Sequence, residues 1–238
     1  MLQTKEIEYQ AGGLHCRGFL AYQETTRQKP CVLIAHDWSG RSPSFCDKAK
    51  EIAEMGMVGF AIDMYGHAKT GQSTEENQAL LAPFTANRNL VAERILPAFK
   101  TAITLPGVDS TRIAAIGYCF GGLTVLDLAR IGADVKGVVS FHGLLTAPES
   151  TRCEKIRAKI LVLHGYDDPL VPPTQVQQFA SEMTFRKADW QVHMYGHTKH
   201  SFTNKKADDP SMGVKYSELA DHRSWESTKL FFKEIFPG

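Results

Sequence analysis
The sequence predicts an α/β layer structure, with a mostly parallel sheet of about eight strands carrying helices on both faces. Short apolar, β-rich runs recur along the chain, and most are separated by stretches of helical pattern. Size agrees: 238 residues with 43% hydrophobic side chains can bury one large core. No repeat, low-complexity tract or Pro/Gly-rich linker divides the chain, so a single domain over residues 1–238 is expected.

The elements follow in order. "TKEIEYQ" and "LHCRGFLAYQ", joined across Gly12 and Gly13, read as an antiparallel pair at one sheet edge. "CVLIAHDW", "MVGFAIDMYG", "RIAAIGY", "VKGVVSFHG", "AKILVLHGYDD" and "DWQVHMYG" then have the continuous apolar character of strands covered on both faces. Helices are expected over about 43–55, 75–104, 120–132, 173–187 and 222–235. "HAKTGQSTEENQ" reads as a solvated loop leading into a helix, and the longest irregular stretch runs from about 196 to 221.

A formal net charge of +1 provides no field for nucleic acid or acidic membranes, and neither is expected as a partner. The opening "MLQTKEIEYQ" lacks an apolar signal-peptide core and no window reaches membrane-span length, so a cytoplasmic location is expected. Five cysteines, Cys16, Cys31, Cys46, Cys119 and Cys153, form no C-x-x-C pair. That count and spacing argue against a disulfide framework and a cysteine-rich zinc site.

Functional groups in such sheets gather beyond the carboxyl ends of the strands. Those ends present His36-Asp37-Trp38, Asp63-Met64-Tyr65, Cys119, His142, Asp167-Asp168 and "GHTKHSF". Gly117-Tyr118-Cys119-Phe120-Gly121 has the form of a nucleophile elbow with sulfur in place of oxygen. A sharp strand-to-helix turn leaves no room for side chains at the glycines and lifts the central residue outward, where a helix N-terminus favours a thiolate. Cys16, Cys31, Cys46 and Cys153 have no such setting and read as small buried thiols.

A base and an orienting acid are needed downstream. Asp167 and Asp168 both lie just past one apolar run, and His197 and His200 just past the next, and strand pattern alone does not choose within either pair. His193, His197 and His200 have helical metal-ligand spacing, but "WQVHMY" alternates like a strand and Gly196 interrupts it, so no metal is expected. His36, His142 and His164 read as structural or rim histidines.

Taken with Asp168-Pro169-Leu170-Val171-Pro172, His200-Ser201-Phe202, Ala35 to Gly40 and Asp63 to Gly66, the elbow resembles the dienelactone hydrolase family, cysteine-dependent enzymes of α/β-hydrolase fold. The resemblance implies Cys119 as nucleophile, His200 as base and Asp168 as its acid. It also implies an oxyanion hole at the backbone N–H groups of Trp38 and Phe120, and no metal or organic cofactor. Asp37 stands where the family carries a glutamate that holds the resting thiol, and is one methylene shorter. Thr203-Asn204 replaces an arginine that binds a substrate carboxylate, which a neutral side chain cannot clamp. Arg88 is expected on a solvated face. The expected activity is hydrolysis of a small-molecule ester or lactone. A thioesterase, an acyl transferase or a non-catalytic small-molecule binder are the alternatives. Trp38, Tyr65, Phe84, Phe120 and Phe141 read either as pocket lining or as core. Oligomeric state is left open.

Overall fold
The structure, a computed structural model, describes residues 1–148 and 155–237, so Cys153 lies outside the described residues. The opening hairpin forms from β1 (Leu2–Ala11) and β2 (Leu14–Gln23), in a register pairing Leu2 with Gln23 and Ala11 with Leu14. Gly12 and Gly13 turn it at φ 49° and 77°, conformations that residues with a Cβ rarely take. The next strands are β3 (Lys29–Ala35), β4 (Val58–Ala61), β5 (Val108–Tyr118), β6 (Gly137–Phe141), β7 (Lys159–Gly165) and β8 (Asp189–Tyr195). All eight join one sheet in the order β1-β2-β4-β3-β5-β6-β7-β8. β2 pairs antiparallel with β4, and the pairings from β3 through β8 are parallel.

Helices cover both faces, which is why the strands lack polar alternation. Phe45 and Ile52 of α1 (Pro43–Glu54) and Phe231 and Phe232 of α6 (Glu218–Ile235) bury against Val32, Ile34, Ile116 and Leu161. On the other face, Val91 and Ile95 of α3 (Asn89–Ala102), Leu126 of α4 (Phe120–Arg130) and Phe179 of α5 (Pro173–Phe185) meet Leu33, Ala115, Val138 and Ile160.

The long helix expected over 75–104 is two helices, α2 (Thr74–Ala86) and α3. Asn87 separates them with an extended backbone at φ −138°, and its side-chain oxygen accepts from Asn89 N at 3.1 Å, forming an Asx turn just before the second helix. α6 begins about a turn earlier than its apolar pattern suggests, because the Ser217 side chain accepts from Ala220 N. The irregular stretch after β8 contains a two-residue ladder of β9 (Asp208–Asp209) and β10 (Val214–Lys215). Cys16 and Cys31 are fully buried, whereas Cys46 is only half-buried and its sulfur accepts from Arg41 Nη1 at 3.2 Å. Among the described residues no helix is long and apolar enough to cross a membrane.

Candidate active site
β5 ends at Tyr118 and α4 starts at Phe120, leaving Cys119 alone at the turn with φ 53° and ψ −113°. A non-glycine residue there is strained by about 1–3 kcal/mol and persists only where its surroundings dictate it. Cys119 N donates to Phe141 O at 3.0 Å, while Cys119 O accepts from Gly122 N at 2.9 Å and Leu123 N at 3.2 Å. A Cβ on Gly117 would stand 2.0 Å from Gly121 O, and one on Gly121 would stand 2.1 Å from Ala35 O. The flanking glycines are therefore demanded by close backbone approach, and the half-exposed cysteine is directed out of the strand–helix junction.

Two further strand ends converge nearby. His200 Nδ1 lies 2.7 Å from Asp168 Oδ2, and each residue is 2% exposed. The other Asp168 oxygen accepts from Leu170 N at 2.8 Å, fixing the carboxylate in its turn. Asp167 is exposed, and its ion-pair partner among the described residues is the exposed His197, at 3.9 Å. The His200 backbone is held from outside by β10, with His200 N donating to Gly213 O at 3.2 Å and Lys215 N to His200 O at 3.1 Å.

The two ring nitrogens of His200 have different situations. Nε2 is buried and makes no well-aligned hydrogen bond, yet the Cys119 side chain is close enough to act on the ring by charge and by loose hydrogen bonding. With Nδ1 taken by Asp168, that contact falls to Nε2, the long and poorly aligned kind of geometry expected before substrate binds. Burial opposes a charged imidazole here, but Cys119 and Asp168 outweigh it and raise the His200 pKa to about 10.

The loop after β3 comes up beside this pair. His36 Nε2 accepts from Met64 N at 3.1 Å, so its proton sits on Nδ1, which donates to Asp37 O at 2.7 Å. Asp37 Oδ1 accepts from both Ser39 N at 2.8 Å and Ser39 Oγ at 2.6 Å, folding residues 37–39 into a tight Asx turn around Trp38. The Asp37 carboxylate is thus engaged with Ser39. Tyr65 Oη donates to Trp38 O at 3.0 Å, and the Tyr65 ring stacks on Phe120 at 5.9 Å. Tyr65 is itself set by Asp63, whose carboxylate accepts from the backbone of Arg17, Tyr65, Gly66 and Ala68 at 2.7–3.1 Å. Burial, then the charges of Asp37 and Cys119, raise the Tyr65 pKa far above its ordinary value, so the phenol stays a donor. Phe120, next to Cys119 in the chain, and the Trp38 carbonyl therefore both meet the Tyr65 side chain.

The Dienelactone hydrolase family model matches residues 16–236. The chain belongs to the dienelactone hydrolase family. The structure of a dienelactone hydrolase-like promiscuous phosphotriesterase from metagenomic libraries is 30% identical and covers 98% of each chain at a TM-score of 0.93. An uncharacterized protein of Caenorhabditis elegans is 37% identical over 156 residues, 64% of this chain and 99% of that one. A Synechocystis protein assigned as a carboxymethylenebutenolidase is 23% identical over 98% of this chain and 97% of its own. As a family member the chain is an ester-bond hydrolase of α/β-hydrolase fold.

This dienelactone hydrolase homologue departs from several sequence expectations. Arg88 does not lie on a solvated face: its Nε and Nη2 grip the Asp127 carboxylate at 2.6 and 3.0 Å, and Nη2 also reaches Thr146 O. Phe141 does not share the Tyr65–Phe84–Phe120 cluster, because strand alternation turns it to the opposite face, stacked on Tyr118 at 4.5 Å. Of the three histidines at helical spacing, His193 sits on β8 near Ser227 Oγ, His197 is fully exposed and His200 faces Asp168. Among the described residues no group of three His, Cys, Asp or Glu side chains is arranged to hold a metal ion. His142, read as a structural or rim histidine, is 3% exposed and packs its ring against His200 at 5.2 Å. Size does not locate the site either. A cavity of about 540 Å³ lies between Lys29, Arg112 and Phe236, away from Cys119.

Proposed function
We propose that this family member hydrolyses small esters or lactones by nucleophilic catalysis, with Cys119 as nucleophile, His200 as general base and Asp168 orienting it. The observation that carries the reading is the buried Asp168–His200 contact of 2.7 Å, with the open Nε2 edge acted on by the strained Cys119.

His200 Nε2 takes the thiol proton, a transfer its raised pKa favours before substrate binds, and the Cys119 thiolate then adds to the substrate carbonyl carbon, pushing the carbonyl electrons onto oxygen. Backbone N–H groups of Trp38 and Phe120 hold that oxyanion, in a loop whose shape Asp37, Ser39 and Tyr65 maintain. The carbonyl reforms, the C–O bond breaks, and His200 returns the proton to the departing alkoxide, leaving an acyl thioester on Cys119. Water then enters, gives a proton to His200 and adds to the thioester carbon. Collapse expels the sulfur, which regains the proton, and the acid leaves. Asp168 keeps Nδ1 protonated and Nε2 available throughout.

Substrates lacking a carboxylate fit this site better than the carboxylate-bearing lactones, since Thr203-Asn204 is neutral and Arg88 is committed to Asp127. A panel of p-nitrophenyl acetate, a neutral butyrolactone, an acyl thioester and a carboxylate-bearing dienelactone tests this. The neutral ester is expected to give the highest kcat/KM and the dienelactone at least about tenfold less, the scale of one lost charged contact. Preference for the dienelactone, or exclusive thioester cleavage, would overturn the substrate assignment. The phosphotriesterase activity in the description of one relative makes a neutral phosphotriester a reasonable fifth member.

A further inference from the structure
We propose that His142 is a positioning residue for His200, acting by ring contact and through a hydrogen bond to Thr203, an inference that rests on the nucleophilic reading above. His142 follows the last residue of β6 and adopts φ 40°, a left-handed conformation costly for a residue with a Cβ. Its backbone N donates to Leu163 O at 2.9 Å, which fixes the ring's starting point between two strand ends.

From there the ring reaches three residues of one segment. It meets His200 edge-on at 5.2 Å and 65°, and Phe202 at 5.1 Å and 83°, while Nε2 lies 2.9 Å from Thr203 Oγ1. Tyr118, immediately before Cys119, lies 6.1 Å from the His142 ring. The strand-end residue thus spans the nucleophile elbow and the histidine loop, which are far apart in sequence. The β9–β10 segment grips the same loop by its backbone, and the His142 ring adds a contact to the His200 side chain beside its Asp168 hydrogen bond.

His142 Nδ1 is buried with no well-aligned hydrogen-bond partner among the described residues. The ionisable groups around it are His200 and His164 on neighbouring strand ends, with Cys119 and Asp168 beyond them. Burial, then the charge of His200, hold His142 well below the usual histidine range, so it is a neutral ring. A neutral ring can pack against a charged His200 without repulsion and limit its tilt about the Asp168 hydrogen bond. That matters because Nε2 must serve the sulfur, the leaving group and water in turn, and misplacement by about 1 Å can cost about a hundredfold in rate.

The test uses the full chain carrying His142→Asn, Thr203→Val or Thr203→Ser. Asparagine tolerates positive φ but cannot span from His200 to Thr203. Valine removes the hydroxyl, and serine keeps it. The first two variants are expected to lose about 10- to 100-fold in kcat toward p-nitrophenyl acetate with KM little changed, and to be non-additive when combined. Thr203→Ser should retain most of the native kcat. Iodoacetamide alkylation of Cys119, followed against pH without substrate, should move its low-pH limb upward in His142→Asn and Thr203→Val, as His200 couples less well to the sulfur. Unchanged kcat and alkylation profiles would overturn the role, as would equal losses in Thr203→Ser and Thr203→Val that track thermal stability. Alkylation needs no turnover, so a native protein inactive on every ester defeats the nucleophilic reading, while the alkylation profile still judges His142.

Discussion

Cys119→Ala is expected to lower ester hydrolysis by at least about three orders of magnitude with the fold retained, since members of a catalytic unit are each close to indispensable. The variant removes the sulfur and keeps the Trp38 and Phe120 N–H groups and the Asp168–His200 contact. What survives is stabilisation of the oxyanion without a nucleophile, a small residue of the full effect. The same substitution has a consequence readable without substrate. Cys119 is the largest influence raising the His200 pKa to about 10 against the effect of burial. In Cys119→Ala the His200 ring, followed by NMR, should therefore titrate well below about 10, moving toward the ordinary histidine value of about 6.5. Retained hydrolysis above a tenth of native would rule out the thiol as nucleophile. A His200 titration unmoved by the substitution would separate the ring from the sulfur.

Arg130→Met is expected to destabilise the protein by about 3–5 kcal/mol, the scale for breaking one side of a buried ionic network. Arg130 is fully buried on α4. Its guanidinium reaches Asp127 Oδ1 at 3.1 Å, Glu182 at 2.7 and 3.1 Å, Leu145 O at 2.8 Å and Thr146 O at 3.2 Å. Arg88 clasps the other side of Asp127, and Arg186 Nε stands 3.0 Å from Glu182 without hydrogen-bond alignment. Methionine fills the volume but leaves the buried Leu145 carbonyl and part of two carboxylates without donors, and Thr146 O with Arg88 Nη2 alone. The carbonyls belong to the segment following β6 and His142, so the loss falls on the support of the histidine cluster. Chemical denaturation checks it, with Lys50→Ala as a comparison that removes the exposed pair with Asp47 and a loose contact over Phe19 and should leave the midpoint near native. An Arg130→Met midpoint near native would mean the network adds little beyond a packed apolar side chain.

Much of this architecture is legible in the chain because parallel strands covered on both faces need uninterrupted apolar runs, and these runs match β3 to β8 closely. The elbow is legible for a similar reason: Gly117 and Gly121 record backbone approaches that no other residue permits. Choices between adjacent residues are less visible. Asp167 and Asp168 have the same strand pattern, and only the turn, in which Asp168 N donates to Gly165 O at 3.1 Å, points one toward His200 and the other to solvent. Arg88 is misread because its partner Asp127 lies a whole helix, a whole strand and part of another helix away. The break at Asn87 rests on an Asx turn within an otherwise continuous helical pattern. Phe141 is different, since its alternation with Val138 and Ser140 did contain the answer: it belongs with Val139, on the face away from Phe120.

The central claim is that an acyl group passes through the Cys119 sulfur. The most direct measurement is peptide-level mass spectrometry after mixing the native protein with p-nitrophenyl acetate and quenching in acid within the first turnover. The account expects one acetyl group on the peptide containing Cys119, removable by neutral hydroxylamine as a thioester should be, and missing in Cys119→Ala. Turnover with that peptide unmodified, or with the acetyl group on another residue, would contradict it.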